Sequence, residues 1–393
     1  MRTQVAVVGA GPAGLVLSHL LALAGVDVVV VDLRERESIE STIRAGILEA
    51  GTVDLLVDTG VGDRVLREGA RHDGIALRFA GESHRIDLHG LTGRSVRLYP
   101  QHEVLKDLIA ARLAAGADLR FGVSDVALHD LTGPAPRVTF TGADGRAVEL
   151  VADVVVGCDG SGGVSRSAIP RQERREHVRA YPFGWFGILA EAPRSSEELV
   201  YAHSPRGFAL ISSRTAQVQR MYFQCDPQAA ADDWSDDQIW AELQARVAGN
   251  GFALQEGRIF DRSVIPMRSH VCEPLRHGRL FLAGDAAHTV PPTGAKGLNL
   301  AVADVRVLAP ALEAFFASGD HRLLDAYTDT ALRRVWRAQH FSWWMTSMLH
   351  TSAEASSFDL RRQIGELELV TGSTAASTYL AEAYVGWPLG SSA

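Results

Sequence analysis

Three short segments bearing glycine and aspartate carry the clearest chemical signals in this 393-residue chain. The first is Gly9-x-Gly11-x-x-Gly14. It follows the apolar run Val5–Val8, opens into the mostly apolar stretch Leu15–Ala24, and precedes a second apolar run, Val28–Val31, that ends at Asp32. Strand, glycine turn, helix, strand and acid in this order make a βαβ unit that binds a dinucleotide. The first glycine makes the tight turn, the second lets the backbone approach a pyrophosphate, and the third lets helix and strand pack closely. The helix N-terminus offers free N–H groups to the anion, and Asp32 is placed to accept from ribose hydroxyls. This motif alone does not decide between FAD and NAD. The second segment, Cys158-Asp159-Gly160, follows the apolar Val154–Val156, and the third, Gly284-Asp285, follows Leu280–Ala283. The third opens into Pro291-Pro-Thr-Gly294-x-Lys296-Gly297-Leu298-Asn299, a glycine-rich turn that leads backbone N–H groups into a helix. Either dipeptide alone is a plain turn. The three together, in this order, point to a flavin or nucleotide held by three chain segments.

The elements that must position these residues alternate in character. Glu103–Ala114 reads as an amphipathic helix, and Leu119–Val123, Arg137–Thr141 and Glu149–Val156 read as strands. From about Pro182 to Pro266 the pattern changes to short strands, at Phe183–Leu189, Glu198–Tyr201, Phe208–Ser212 and Gln217–Gln224, with a helix at Asp236–Val247. Two long helical segments follow, Leu298–Ala317 and His321–Leu349. The expected class is α/β, with α+β elements. A Rossmann-like FAD-binding domain (residues 1–71, 98–181 and 268–349) is interleaved with an antiparallel-sheet substrate domain (72–97 and 182–267) and followed by a C-terminal helical segment (350–393).

Composition narrows the function. Hydrophobic residues make up 46% and charged residues 22%, which excludes a disordered or fibrous chain. The formal net charge of −8 argues against a broad nucleic-acid surface. Cys158, Cys225 and Cys272 lack metal-ligand spacing, so no metal is expected, and an odd count of free thiols suits a reducing cytoplasm. No membrane association is expected. The apolar N-terminal stretch is broken by Gly9, Gly11, Pro12 and Gly14, unlike a signal peptide.

The order of the three motifs resembles that of the single-component, FAD-dependent aromatic hydroxylases (class A flavoprotein monooxygenases). Within them the chain is similar to the branch acting on 4-hydroxybenzoate, through Arg44-Ala-Gly-x-Leu-Glu, Tyr181-Pro-Phe-Gly-Trp, Pro205-Arg-Gly-Phe-Ala-Leu, Pro291-Pro-Thr-Gly-Ala-Lys-Gly-Leu-Asn-Leu, Phe341-Ser-Trp-Trp-Met-Thr-Ser and Tyr384-Val-Gly. The resemblance implies FAD as cofactor, NADH or NADPH as reductant, O2 and 4-hydroxybenzoate as substrates, 3-hydroxylation to protocatechuate, and a homodimer. It assigns Ser212, Arg214 and Tyr222 to the substrate carboxylate, where the planar fork of an arginine is the right chemistry. Ser212 and Arg214 lie two apart on a strand and so share a face; the bland alternative is the solvent end of that strand. The resemblance further assigns Tyr201 and the backbone carbonyl of Pro292 to the substrate hydroxyl, with Tyr384 and His72 as the relay that carries its proton away. A phenol with a pKa near 10 needs such a relay near neutral pH. Arg44, Gln101, Asp159, Asp285, Gly297, Leu298 and Asn299 join Gly9, Gly11, Gly14 and Asp32 as FAD contacts, with Arg220 and Lys296 as cations near the flavin. Arg166 and Arg268 are expected to meet the nicotinamide nucleotide.

Departures fall on the nucleotide side. Ser38 and Thr42 stand where NADPH-selective members carry an aromatic residue and an arginine. Glu35, Glu37 and Glu40 crowd the same stretch, and Gly162 replaces a histidine. Carboxylates repel a 2′-phosphate, so NADH is expected to serve at least as well as NADPH, although Arg34 and Arg36 are available to a phosphate. Three rival readings remain in view: a hydroxylase of another ring such as 4-aminobenzoate, 3-hydroxybenzoate or salicylate; an idle flavin-binding protein; and a plain NAD-dependent dehydrogenase. The last leaves the Asp159 and Asp285 motifs unexplained. Retention of the tyrosines and Lys296 argues against the second.

Overall fold

The computed structural model describes residues 1–43, 46–352 and 354–388. The apolar runs that open the chain become the centre of a largely parallel sheet. Its strand order is Arg276–His277, Leu280–Leu282, Ala147–Gly157, Arg2–Val8, Val28–Val31, Asp118–Arg120, with Arg137–Thr141 joined antiparallel to the long third strand and Ser124–His129 joined antiparallel to Arg137–Thr141. Val5, Val7, Val154, Val155 and Val156 are fully buried, as strands covered on both faces must be. The helix Pro12–Leu23 crosses from the first strand to the second, and the helices Gln101–Ala114 and Lys296–Ser318 pack alongside it.

A second sheet runs His288–Thr289, Arg258–Glu273, Arg175–Glu191, Val218–Cys225, Ala209–Ser213, Leu199–Ala202, Gly74–Phe79, Glu82–Asp87. Its two faces are sorted by alternation. Val200, Ile211, Met221, Phe223, Phe186 and Ile188 point one way and pack on Ile239, Trp240, Leu243 and Val247 of the helix Asp236–Val247. Tyr201, Leu210, Tyr222 and Trp185 point the other way and meet Phe341, Met345, Leu380 and Tyr384 from the C-terminal helices Tyr327–Leu349 and Thr374–Val385. A small third sheet joins Ile47–Leu48, Val96–Leu98 and Ala70–His72.

The structure departs from the sequence reading in several elements. The stretch His321–Leu349 is two helices, Arg322–Asp325 and Tyr327–Leu349. The break at Ala326 lets Tyr327 turn inward, fully buried, and donate from its hydroxyl to the Leu282 carbonyl at 2.8 Å. The strands Gly74–Phe79, Glu82–Asp87 and Arg258–Glu273 have no counterpart in the sequence pattern. The last carries charged residues at Asp261, Arg262 and Arg268 because much of it lies at the surface. Among the described residues no helix is long and apolar enough to cross a membrane.

The glycine turn is forced by contact. Gly9 has φ +109, and a Cβ there would land on the Cys158 carbonyl of the neighbouring strand. A Cβ on Gly14 would land on the Gly9 carbonyl oxygen. Gly14→Ala is therefore expected to cost about 3 kcal/mol or more, because backbone has to shift to admit the methyl. A thermal melt checks this; an unchanged midpoint would contradict it.

Candidate active site

The site is built on one face of the antiparallel sheet. Tyr201, Leu210, Tyr222 and Gly187 lie directly opposite one another across four neighbouring strands. Opposite residues share a face, so the two tyrosines stand on the same side. Gly187 makes this possible, since a Cβ there would strike the Tyr222 ring. Ser212 and Arg220, paired across the next rung on that face, lie two residues further on, about 7 Å along the strands. Arg214 follows at the hairpin, two residues beyond Ser212.

At the hairpin end the polarity is cationic and incomplete. Nε and Nη1 of Arg214 are buried and have no hydrogen-bond partner among the described residues. Burial pushes this guanidinium down to about 10, helped by the charge of Arg220 and opposed by Tyr222. The guanidinium is thus enclosed rather than placed at the solvent end of a strand. Arg220 lies 5.1 Å over the Tyr222 ring, and its own Nε is likewise buried and unpartnered among the described residues. Ser212 behaves differently from the expectation: its Oγ donates to the Arg220 carbonyl at 2.7 Å, so its proton is committed to the hairpin backbone.

At the other end, the hydroxyls of Tyr201 and Tyr384 are 2.7 Å apart, with the rings edge to face at 85°. Burial pushes the Tyr201 hydroxyl up to about 12, although the bond from Tyr384 works in the opposite direction, and burial raises Tyr384 as well. His72 makes no hydrogen bond to either tyrosine. Its Nδ1 is buried without a partner among the described residues, and burial pushes the ring below its ordinary value. Pro292 sits in a turn in which its carbonyl accepts from the Ala295 N–H at 3.0 Å.

Lys296 begins the helix Lys296–Ser318, with Ala295 at its N-cap in the left-handed region at φ +53. The lysine is 2% exposed. Its Nζ donates to Glu49 Oε1 at 2.6 Å and to the Tyr384 carbonyl at 3.0 Å, and it lies 4.9 Å over the Phe341 ring. Burial lowers its pKa, and the Glu49 carboxylate opposes that shift. Asn299 spends both donors and its carbonyl oxygen on protein: Oδ1 accepts from Glu49 N–H and Thr52 Oγ1, both at 2.9 Å, and Nδ2 donates to the Ile47 and Ala295 carbonyls. Its place in the structure is to tie the 47–52 segment to the helix start.

The cofactor side fits a dinucleotide by its open backbone. No side chain caps the helix Pro12–Leu23, which leaves its first N–H groups free. Gly11 borders open space: the nearest atom to a Cβ at that position would be the Cys158 carbonyl oxygen, 4.0 Å away. Gly297, in the first turn of the second long helix, likewise faces open space. Asp32 is buried and accepts from Ala10 N–H at 2.6 Å, but also from the backbone and guanidinium of Arg34 at 2.8–3.0 Å. A ribose hydroxyl has to displace that arginine. Asp159 turns toward Ser165, accepting from its N–H and hydroxyl at 2.9 Å, and leaves Oδ1 buried and unpartnered among the described residues. Asp285 is exposed in the short turn Gly284–Ala286. Behind that turn, Asp304 accepts from Gly284 N–H at 2.8 Å and from His288 at 2.6 Å. Arg166 donates to the Ser161 carbonyl at 2.7 Å and lies 3.0 Å from the His270 ring nitrogens. His270 is pushed down to about 4 by burial and then by Arg166, with Arg268 adding to the effect, so both arginines gather at this corner. Gln101 starts the helix Gln101–Ala114, Leu298 follows Gly297, and Ser38 and Thr42 are exposed. Arg44 lies outside the described residues.

Sequence reasoning assigned no role to three residues that meet the site. Glu49 closes the Arg44-Ala-Gly-x-Leu-Glu segment, and that membership was the available signal. Trp185 closes Tyr181-Pro-Phe-Gly-Trp, and its ring centre lies 5.0 Å from that of Tyr222. His350 has no signal in spacing. It accepts from Trp185 Nε1 at 2.7 Å through Nε2, and its Nδ1 faces the Thr346 carbonyl at 3.0 Å. Indole only donates and a carbonyl only accepts, so these partners fix the neutral ring as the Nδ1–H tautomer. Burial holds it at about 3.

The profile of a family described as an FAD binding domain matches residues 2–342. The chain is 45% identical over 390 residues to p-hydroxybenzoate hydroxylase of Acinetobacter baylyi, covering 99% of this chain and 96% of that protein. It is 30% identical over 308 residues to a rifampicin monooxygenase of Rhodococcus hoagii, covering 77% of this chain and 62% of that longer protein. Among solved structures, p-nitrophenol 4-monooxygenase from Pseudomonas putida superposes with a TM-score of 0.84 over 98% of this chain and 99% of that one, a likeness of fold at 20% identity.

Two nitrogens of the Arg214 fork are buried without a partner among the described residues, an arrangement whose geometry suits a carboxylate. Arg214→Lys is expected to weaken binding of a benzoate-type anion by roughly 30-fold or more, since one ammonium cannot replace two parallel N–H donors. Titration with the aromatic carboxylate measures it; an affinity within about twofold of the unaltered protein would remove Arg214 from this role.

Proposed function

This chain belongs to the FAD-dependent aromatic monooxygenases, and we propose that within that family it hydroxylates 4-hydroxybenzoate at the 3-position to give 3,4-dihydroxybenzoate. The observation that carries the substrate is the polarity of the sheet face: a guanidinium with two buried nitrogens lacking a partner among the described residues at one end, and a buried pair of hydroxyls at the other. A ring bearing a carboxylate opposite a phenol matches both ends at once. The 45% identity to a p-hydroxybenzoate hydroxylase supports the same reading.

FAD, once reduced by the nicotinamide, supplies the chemistry that activates O2 and delivers one oxygen atom to the ring. In this reading it is held by the Gly9–Gly14 turn, Asp32, Asp285 and the first turn of the helix at Lys296. The chain's own residues do the rest. Arg214 binds the carboxylate and fixes the ring's long axis, with Tyr222 beside it. Tyr201 meets the substrate hydroxyl and passes its proton toward Tyr384, which makes the ring more phenolate-like and its 3-carbon more nucleophilic. His72 is the group toward which that proton leaves; in this structure no direct bond links it to Tyr384, so water completes the relay. Lys296 and Arg334 share the single carboxylate of Glu49, which leaves one net positive charge on the side of the site where the flavin lies in this reading. The apolar wall of Trp185, Phe208 and Phe341 keeps the site dry, so oxygen transfer competes well against loss of the oxidant to water.

The reductant in this reading is NADH at least as readily as NADPH. Arg36 is paired with Glu40 at 2.7 Å, so that arginine near the expected 2′-phosphate position already holds a carboxylate, and Glu35 and Glu37 add negative charge beside it. The reading also includes a cytoplasmic homodimer. Trp336 and Trp343, each about 40% exposed, and Phe358 offer apolar surface on the C-terminal helices for the partner.

Purified enzyme given NADH, O2 and 4-hydroxybenzoate is expected to form 3,4-dihydroxybenzoate nearly mole for mole with NADH consumed; nicotinamide oxidation yielding hydrogen peroxide without a catechol contradicts the substrate. Steady-state kinetics with both nucleotides are expected to give kcat/KM for NADH at least equal to that for NADPH, and a tenfold advantage for NADPH would overturn that expectation. Tyr201→Phe is expected to retain substrate-stimulated NADH oxidation but divert most of it to hydrogen peroxide. Full product yield in that variant would dismiss the role of Tyr201.

A further inference from the structure

Arg334 lies on the helix Tyr327–Leu349, well away in sequence from most of the residues that make the site, yet it closes a chain of contacts that ends on the reacting hydroxyls. Its Nη2 is 3.2 Å from Glu49 Oε2, and its Nη1 donates to the Trp387 carbonyl at 2.7 Å. The other oxygen of Glu49 holds Lys296, and Lys296 holds the Tyr384 carbonyl. Tyr384 then meets Tyr201 at 2.7 Å. Between Tyr384 and Trp387 the chain leaves the helix Thr374–Val385 through Gly386 at φ +93, and a Cβ there would collide with Glu49 Oε2. The C-terminal segment is thus pressed directly onto the carboxylate. A void of about 10 Å³, room for about one water, lies among Glu49, Lys296, Arg334 and Trp387.

Three charged groups meet here: two cations and one anion. Glu49 alone cannot hold both Lys296 and the passing backbone, because a carboxylate accepts but never donates to a carbonyl. Arg334 supplies the missing donors, one arm to the acid and one to the chain. We infer that Arg334 is a positioning residue for the tyrosine pair: by bridging Glu49 and the Trp387 carbonyl it fixes the segment that carries Tyr384, and so sets the Tyr384 hydroxyl against Tyr201. The functional part of this rests on the proposed reading that those two hydroxyls draw the proton from a bound phenol.

The test uses the FAD-loaded enzyme, Arg334→Gln and Arg334→Lys, with two readouts. The first is hydrogen–deuterium exchange of the 374–388 segment, which needs no substrate. Faster exchange is expected there in Arg334→Gln, with the strands of the parallel sheet unchanged. The second is ultraviolet difference titration of bound 4-hydroxybenzoate, which reads ionisation of its phenol. Loss of one charged donor is expected to disfavour that ionisation about tenfold in Arg334→Gln. Arg334→Lys is expected to fall between, because one ammonium cannot reach both acceptors. Affinity for the carboxylate end should stay within about twofold in both variants, since Arg214 is untouched. A loss of fold stability alone would leave bound-phenol ionisation where it was. Unchanged exchange in the 374–388 segment, or identical phenol ionisation in all three proteins, overturns the role of Arg334. If unaltered enzyme fails to bind 4-hydroxybenzoate, the substrate reading falls, and the exchange measurement still decides whether Arg334 anchors the segment.

Discussion

The structure depends on carrying positive charge into a dry junction between two sheets. A buried cation is tolerable only when paired, and removing one partner from a buried pair costs about 3–5 kcal/mol. Lys296 meets this demand inside the chain, through Glu49 and the Tyr384 carbonyl. Arg214 does not: two of its nitrogens are buried with no partner among the described residues. The asymmetry separates the two cations by purpose. The lysine's charge is balanced by the fold itself, whereas the arginine's is assigned, in the proposed reading, to the carboxylate of the substrate. An orphaned guanidinium weakens the fold, and its retention makes sense where an anionic ligand offsets the cost on binding.

The rest of the architecture serves that arrangement. Strand register puts Tyr201, Tyr222, Ser212 and Arg220 on one face, and alternation alone keeps them there. Gly187 gives up its side chain so that Tyr222 can lie against the sheet. The opposite face is mostly apolar, with buried Gln219 and Arg78 at its margins, and rests on a helix whose N-terminus is fixed by the Ser235–Gln238 capping box. The C-terminal helices then bring Tyr384 in from 183 residues away to complete the hydroxyl pair. Neither sheet nor helices make the site alone, which is why the two sheets and the C-terminal helices are interleaved along the chain.

Legibility in the sequence followed locality. The βαβ unit was readable because each element is one short apolar run with a glycine or an acid at its end. Val28–Val31, Arg137–Thr141 and Asp236–Val247 match the structure residue for residue. Arg258–Glu273 was not readable, because a strand half at the surface carries charges that blur its alternation. The division at Ala326 was hidden for another reason: it depends on a tertiary bond from Tyr327 to Leu282. At the site, the glycines announced themselves through backbone demands, while Arg214 and Ser212 were singled out by the family resemblance, which their two-residue spacing supported. Glu49, Arg334 and His350 gave no such signal. Their partners lie 247, 53 and 165 residues away, and only folding brings them together. The same limit shows in Asn299 and Asp32, which the sequence offered as cofactor contacts and whose polar atoms the structure shows engaged with protein.

The central claim is that the buried Arg214 fork is completed by the carboxylate of a phenolic acid. The most direct measurement is the ratio of dissociation constants for 4-hydroxybenzoate and 4-hydroxybenzamide at about neutral pH, by calorimetry on the FAD-loaded enzyme. The two share ring and hydroxyl and differ in whether they bring a negative charge. The amide is expected to bind about a hundredfold more weakly or worse, since a buried charge then stays unpaired. Equal affinities would mean that Arg214 is not waiting for an anion, and the chemistry assigned to this sheet face would have to be abandoned.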